Sequence, residues 1–359
     1  MSTMRRYALP VDQTGWRFQG QTETGFSWEY DEPRDRLLRL YDKAKRDQWD
    51  QATRIDWSTD LDPENPMQLD DRMISIHGTE LWNKLDNKQK AHVRRHAQAW
   101  NVSQLMHGEQ GALIATARIV QMAPDMDAKF YAATQVMDEA RHVESYSRLL
   151  HEKFELAYPM TTPLKTLLEQ GLSDSRWDFV YLCMQVLIEG LALAAFQRLR
   201  DYSKNPLAVA VNAYVMQDEA RHVAFGRIAL QDFYKELTDH ERAEREEFLV
   251  EGCYLMRDRF DAREMWEHLG FPVAECVEAA MISENQRIFR AQLFSRIVPT
   301  VKDIGLWGPK VRAAYQDMGV MQFADTDLGA KLQADEDWAK DLDARRALNA
   351  HQAADAASA

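Results

Sequence analysis

The pentapeptide Asp-Glu-Ala-Arg-His stands at residues 138–142 and again at 218–222, an offset of 80 residues. No alternating strand pattern competes with helical periodicity anywhere in the chain, so the repeat constrains it to two copies of one helical unit and the fold class to all-α. In each copy the Glu and the His are three residues apart: Glu139 with His142, Glu219 with His222. On a helix that spacing places a carboxylate and an imidazole on one face, where they can bind one metal ion together. A single Glu-x-x-His is commonly just a solvated helix face. Two identical copies change that reading.

A two-metal site of this type needs one further glutamate from each of two other helices. Glu109 and Glu189 fit, each lying 30 residues before the Glu of its motif. If each half is a helical hairpin, its two glutamates are level when the turn falls midway between them, at 124 and 204. Pro124 occupies the first midpoint and Asn205-Pro206 adjoins the second. About 15 residues up and 15 down, at roughly 1.5 Å each, bring all six side chains into one layer. Glu189 lies in an otherwise apolar stretch, where a bare carboxylate is costly unless paired, neutralised or bound to metal. Asp138 and Asp218 are candidates to hydrogen-bond the histidines across the bundle, with Arg141 and Arg221 as their charge partners.

The remaining punctuation outlines the elements. A first helix is expected over Asp35–Trp49, and long helices over Lys88–Met122 and Asp127–Phe154. A short helix over Leu164–Gln170 leads to a long one over Asp174–Tyr202, with Ser173 or Asp174 as its cap. Asn205 and Pro206 start a helix to Leu237, and Thr238 with Glu241 forms a capping box for one reaching Leu269. The chain divides into an arm and first helix (1–86), the two-metal bundle core (87–237), additional packing helices (238–333) and an Ala- and Asp-rich tail (334–359) expected to fray. The arm before residue 34 reads as irregular. Phe179–Phe196 is apolar enough to be mistaken for a membrane span, but polar helical sequence flanks it, so it reads as a buried core helix.

Composition excludes several classes. A net charge of -13 repels phosphate backbones and anionic membrane surfaces, so neither nucleic acid nor a membrane is expected as a partner. Cys183, Cys253 and Cys276 form no CxxC pair, which argues against a disulfide framework, a zinc ribbon or an iron-sulfur cluster and for a cytoplasmic location. His92 and His96 read as a surface or mildly buried pair, and His107 points away from Glu109. Met106, Met137, Met184, Met216 and Phe225 read first as core. Carboxylates with imidazoles suit two iron ions, or a manganese and iron pair, with O2 as co-substrate.

The two Glu-x-x-His motifs, the lone Glu109 and Glu189 and the Asp-Glu-Ala-Arg-His context resemble the ferritin-like di-iron carboxylate proteins. These include ribonucleotide reductase small subunits and their oxidase relatives, bacterial multicomponent monooxygenases and acyl desaturases. The resemblance spans roughly Lys88–Leu237 and implies a ferritin-like four-helix bundle with additional flanking helices, in which the six matched positions ligate the metals. It implies an oxidase or monooxygenase for a largely apolar organic substrate, with a separate electron donor and a homodimeric state. The alternatives are a radical-generating small subunit, for which Tyr146, four residues after His142, would be the redox tyrosine, and iron storage. Some subfamily marks are absent. Gly111 and Met184 replace the cross-linking valine and tyrosine of ligand-binding oxidases, Leu193 a threonine of multicomponent hydroxylases, and Val215 an added histidine of arylamine N-oxygenases.

Overall fold

Each half of the repeat folds as a helical hairpin, and the residues that stop and restart the helices are those at the two midpoints. In the computed structural model, which describes residues 24–27 and 34–358, helix α1 (Asp35–Arg46) precedes both hairpins. The first pairs α2 (Asn87–Met122) with α3 (Met126–Arg148), and the second pairs α4 (Trp177–Tyr202) with α5 (Pro206–Phe233). Asp125 accepts the Ala128 N–H at 2.7 Å to restart the chain after Pro124. Asn205 accepts from Leu207 and Ala208, with Pro206 at the first helical position, where its missing N–H costs nothing. The hairpins close a bundle through α3 against α5 and α2 against α4. The fold is all-α and ferritin-like, with no strand among the described residues.

Helices α2 and α5 lack a one-sided apolar stripe, as fits elements buried on several sides. Helix α4 is long and apolar enough to cross a bilayer by length and composition, yet 94% of its most apolar window is buried inside the bundle. A π-helical segment, Leu182–Ile188, interrupts it and hands over to α-helix at Glu189. A wide turn of this kind advances the residues after it around the axis, and such segments recur at functional sites. A second one, Leu149–Phe154, extends α3.

Outside the bundle, α1 lies across α3 and α5, the two helices that carry the pentapeptides. Helix α6 (Asp239–Asp258) opens with the Thr238–Glu241 capping box but stops short of Leu269. A 3-10 turn over Arg259–Asp261 and a left-handed Ala262 (φ 53°) break it before Arg263–His268 resumes. Asp174 does not cap α4; it bonds the Arg176 N–H at 2.8 Å and the Arg176 guanidinium. The irregular arm lies outside the described residues except for 24–27, where Gly25 donates to the Gln121 carbonyl at 2.9 Å.

The tail is the largest correction to the helix boundaries. The expectation of fraying came from its Ala and Asp content, but residues 334 onward continue α7 (Leu328–Ser358), which packs along α5. Its acidic side chains are what hold it. Asp335 is shared by the buried guanidiniums of Arg296 and Arg200 (3.4 Å), and Asp343 accepts from Arg54 (2.7 Å) and the Tyr214 hydroxyl (2.6 Å). Removing this buried carboxylate strands the Arg296 guanidinium and leaves Arg200 only its pair with Asp201 (2.7 Å), so Asp335→Ala should cost about 3 kcal/mol. Urea denaturation checks this: an unchanged midpoint would mean that α7 contributes nothing to the bundle.

Candidate metal centre

Glu109 from α2, Glu139 and His142 from α3, Glu189 from α4, and Glu219 and His222 from α5 all point into the bundle, none more than 4% exposed. Their donor atoms form two overlapping groups, each compact enough for one ion: Glu109, Glu139, His142 and Glu219 in one, Glu139, Glu189 and His222 in the other. Glu139 belongs to both. Glu219 Oε1 also stands between the histidines, 3.1 Å from His142 Nδ1 and 3.3 Å from His222 Nδ1. The geometry therefore pairs Glu109 with His142 and Glu189 with His222, leaving Glu139 and Glu219 between the two positions.

Both imidazoles turn Nδ1 to this cluster and Nε2 away from it. His142 Nε2 lies 3.1 Å from Asp218, and His222 Nε2 lies 3.3 Å from Asp138, so each pentapeptide's aspartate serves the other copy's histidine. A proton held at Nε2 by a carboxylate leaves the Nδ1 lone pair free for a metal. The arginines bridge the same aspartates. Arg141 reaches Asp138 and Asp218 (2.8 Å), and Arg221 reaches Asp218 and Asp138 (3.3 Å). Two residues after α1, unremarked in the sequence, close this face: Gln48 donates to Asp138 at 2.8 Å, and the Trp49 indole donates to Asp218 at 2.7 Å.

Gln135, one turn before Glu139, was also missed. Its amide donates to Glu139 (3.0 Å) and Glu189 (2.8 Å), holding carboxylates from two helices. Its polarity at i−4 from a candidate ligand was the available signal. Tyr146 is fully buried, donates to Asn212 Oδ1 at 3.0 Å and stacks on Phe196 with ring centroids 5.7 Å apart. Burial, with Glu109 and Glu219 nearby, raises its phenol well above the usual range. Tyr131, also unremarked, is buried near His222 and Glu189, and its hydroxyl has no partner among the described residues.

The outlying expectations fare unevenly. His96 is buried, not superficial: Nδ1 lies 2.6 Å from the Tyr158 hydroxyl, and its ring is tilted against those of His92 and His268, with centroids 4.3 and 5.6 Å away. His107 turns from the cluster to the Tyr158 carbonyl at 2.7 Å. Met106, Met184, Met216 and Phe225 are core, whereas Met137 is 63% exposed. The three cysteines are free and buried.

The protein atoms alone do not satisfy this interior. Glu139 Oε2, Glu189 Oε2, both Glu219 oxygens and His222 Nδ1 are buried without an aligned hydrogen bond among the described residues, although His222 Nδ1 is 3.0 Å from Glu139 Oε1. Burial pushes Glu109 and Glu189 well up, and neighbouring Glu219 adds to this. For His142 and His222 burial works downward, but the surrounding carboxylates outweigh it and raise both. Cations in this space would relieve the same burial and repulsion, and four carboxylates would balance two divalent ions. The donor set fits a pair of iron ions or a manganese and iron pair.

Fold and site together define a ferritin-like di-metal carboxylate oxidoreductase. A family model described as p-aminobenzoate N-oxygenase AurF matches residues 31–305, and the chain belongs to that family. Among solved structures, it is similar to variants of an R2-like ligand-binding oxidase. One with an anaerobically reconstituted Mn/Fe cofactor is 17% identical, with 78% of this chain and 96% of that chain covered and a TM-score of 0.47. Another, with an aerobically reconstituted Mn/Fe cofactor, is also 17% identical over the same shares, with a TM-score of 0.43. No curated protein matches the chain.

Two outcomes follow from the ligand geometry. Glu189→Ala should lower the metal content from two ions to one or none, while His96→Ala, outside the cluster, should leave it unchanged; metal analysis after Fe(II) loading reads both, and two ions retained by Glu189→Ala would refute the ligand set. Because the glutamates raised by burial and the histidines raised by the carboxylates around them must give up protons to the ions, metal affinity should rise with pH. Titration calorimetry in buffers of different ionisation enthalpy should detect the released protons. An affinity indifferent to pH would contradict this.

Proposed function

We propose that the chain uses O2 and its two-metal centre to oxygenate a small, largely apolar organic substrate, with an arylamine nitrogen as the point of attack. The observation that carries the reading is a buried set of four carboxylates and two imidazoles beside a cavity whose other walls are mostly apolar, in a member of the AurF family. Two iron ions, or manganese and iron, supply the redox chemistry that activates O2 when bound.

The residues divide the remaining work. Glu109, Glu139, His142, Glu189, Glu219 and His222 hold the ions. Asp138 and Asp218 fix the orientation of the histidines, and Arg141 and Arg221 balance those aspartates. The cavity beside Glu109, Glu189 and Glu219 is walled by Leu105, Gly108, Ala112, Ile188, Ala192 and Phe196, so the reacting end of a substrate there is kept from bulk water. Val215 is aliphatic and fully buried where the resemblance puts a further histidine, which keeps the donor set at two imidazoles. Electrons come from a separate donor protein, the enzyme works as a cytoplasmic homodimer, and Tyr146 is the candidate for passing an electron near the ions.

The test is the Fe(II)-loaded protein with p-aminobenzoate, a reductant and isotopically labelled O2. The expected product carries the label on nitrogen; O2 consumption without labelled product would leave an oxidase, and no O2 consumption would end the reading. Gly108 sharpens the assignment of the cavity, because a Cβ there would meet nothing within 4 Å. Gly108→Leu should fill the space and abolish product formation while metal content stays at two. Full activity in that variant would place the substrate elsewhere.

A further inference from the structure

Among the described residues, Arg259 is the buried arginine without an ion pair. Arg141 and Arg221 pair with Asp138 and Asp218, Arg200 and Arg296 with Asp335, and Arg245 with Asp178. Arg259 is only 5% exposed, yet its contacts among the described residues are the Met256 sulfur at 3.8 Å and the Phe260 ring at 4.9 Å. Among the described residues no carboxylate acts on it. Burial alone lowers its guanidinium to about 10, which leaves it protonated at neutral pH.

Its position gives the charge a purpose. Arg259, the residue that ends α6, stands on the wall of the cavity that Glu109, Glu189 and Glu219 also line. Those glutamates do not neutralise it once ions are bound, because four carboxylates against two divalent ions leave no surplus negative charge, and the Asp138/Asp218 and Arg141/Arg221 set is likewise balanced. One positive charge therefore stays uncompensated, facing a space beside the metal centre. We infer that Arg259 is the anchor for a carboxylate on the substrate, gripping its two oxygens and directing the opposite end of the molecule at the metal-ligating glutamates. This rests on reading the cavity as the substrate end of an oxygenase site.

The route to the cavity agrees in charge. Gln104 and Leu105 line both this cavity and a larger neighbouring one, which carries Arg198. Arg198 stacks on Phe289 at 4.0 Å and has no ion pair among the described residues. Two unpaired guanidiniums along one route, in a chain of net charge -13, favour an anion over a neutral molecule. The inner space is about 20 Å³, room for a single water, so a ligand must displace a wall residue. Gln104 is tied at both ends of its amide, to the Pro159 carbonyl at 2.9 Å and the Thr161 N–H at 3.0 Å, which leaves Leu105 as the side chain that yields. A planar carboxylate fits a guanidinium in two parallel hydrogen bonds, and it is smaller than a phosphate.

The test compares carboxylates with their neutral amides on Fe(II)-loaded protein under argon: p-aminobenzoate, benzoate and octanoate against p-aminobenzamide, benzamide and octanamide, by titration calorimetry. The native protein should favour the carboxylate of at least one pair by about tenfold or more. Arg259→Gln should bring that pair to parity with metal content and circular dichroism unchanged, and Arg259→Lys should keep part of the preference. A native protein without preference in every pair, or an Arg259→Gln variant that keeps it, overturns the assignment. O2 consumption by the same loaded protein is read separately, so loss of the carboxylate anchor and loss of the oxygenase reading are different results.

Discussion

Four glutamates in one buried layer are the constraint to which the rest of the molecule answers. An isolated carboxylate in such an interior is expensive, and four together repel one another as well. The chain holds the two imidazoles against this layer through a crossed arrangement: Asp138 beneath His222, Asp218 beneath His142, and both arginines spanning both aspartates. Because every one of these bonds except the short-range Arg-to-own-Asp contacts runs between α3 and α5, the same network that orients the imidazoles also clamps one hairpin to the other. The pentapeptide is thus a structural device and a ligand device at once, which is why Asp, Glu, Arg and His are all present in both copies.

The layer has two unlike sides. On the α3 and α5 side, α1 and the residues after it seal the aspartates with Gln48 and Trp49, and Arg141 stacks over the Trp49 ring at 4.7 Å. On the α2 and α4 side the helices carry Gly108, Ala112 and Ala192, and the small side chains leave a cavity. A closed face protects the histidine tautomers while an open face admits a reactant, and a bundle with substrate access on both sides would have to give up one of these. The π-helical segment ahead of Glu189 belongs to this division, since it changes the angle at which α4 presents its carboxylate and the apolar residues that follow.

Most of this centre was legible because helix geometry converts sequence offsets into positions. The 80-residue repeat and the two midpoints placed six side chains in one layer, and the crossed Asp to His pairing was readable from Asp138 and Asp218 alone. What was hidden depends on contacts that no local pattern encodes. Gln48 and Trp49 reach aspartates 90 and 169 residues away across the bundle. Arg259 ends α6 just before a helix break at Ala262, where neither glycine nor proline announces a left-handed turn. The tail failed for the opposite reason: its composition matches a fraying end, but Asp335 and Asp343 find buried or half-buried arginines at Arg296, Arg200 and Arg54, and tertiary pairing overrides composition.

The duplication also stops short of symmetry, and the departures fall around the metal positions. Eighty residues after Gln135, whose amide ties Glu139 to Glu189, stands Val215, which cannot make such a bond. Eighty residues after Tyr146 stands Gly226, where a Cβ would lie 2.3 Å from the Gln185 Cβ, so α4 and α5 approach too closely for any larger side chain. The position defined by Glu109 and His142 therefore has a tyrosine in its surroundings that the duplicated frame cannot repeat, while the position defined by Glu189 and His222 has Gln135 and the Tyr131 hydroxyl, which has no partner among the described residues. Two identical motifs have been given different neighbours. Ions held there meet different fields and different hydrogen-bond donors, and that inequivalence is the physical condition for the two metal positions to take different parts in one reaction or to prefer different metals.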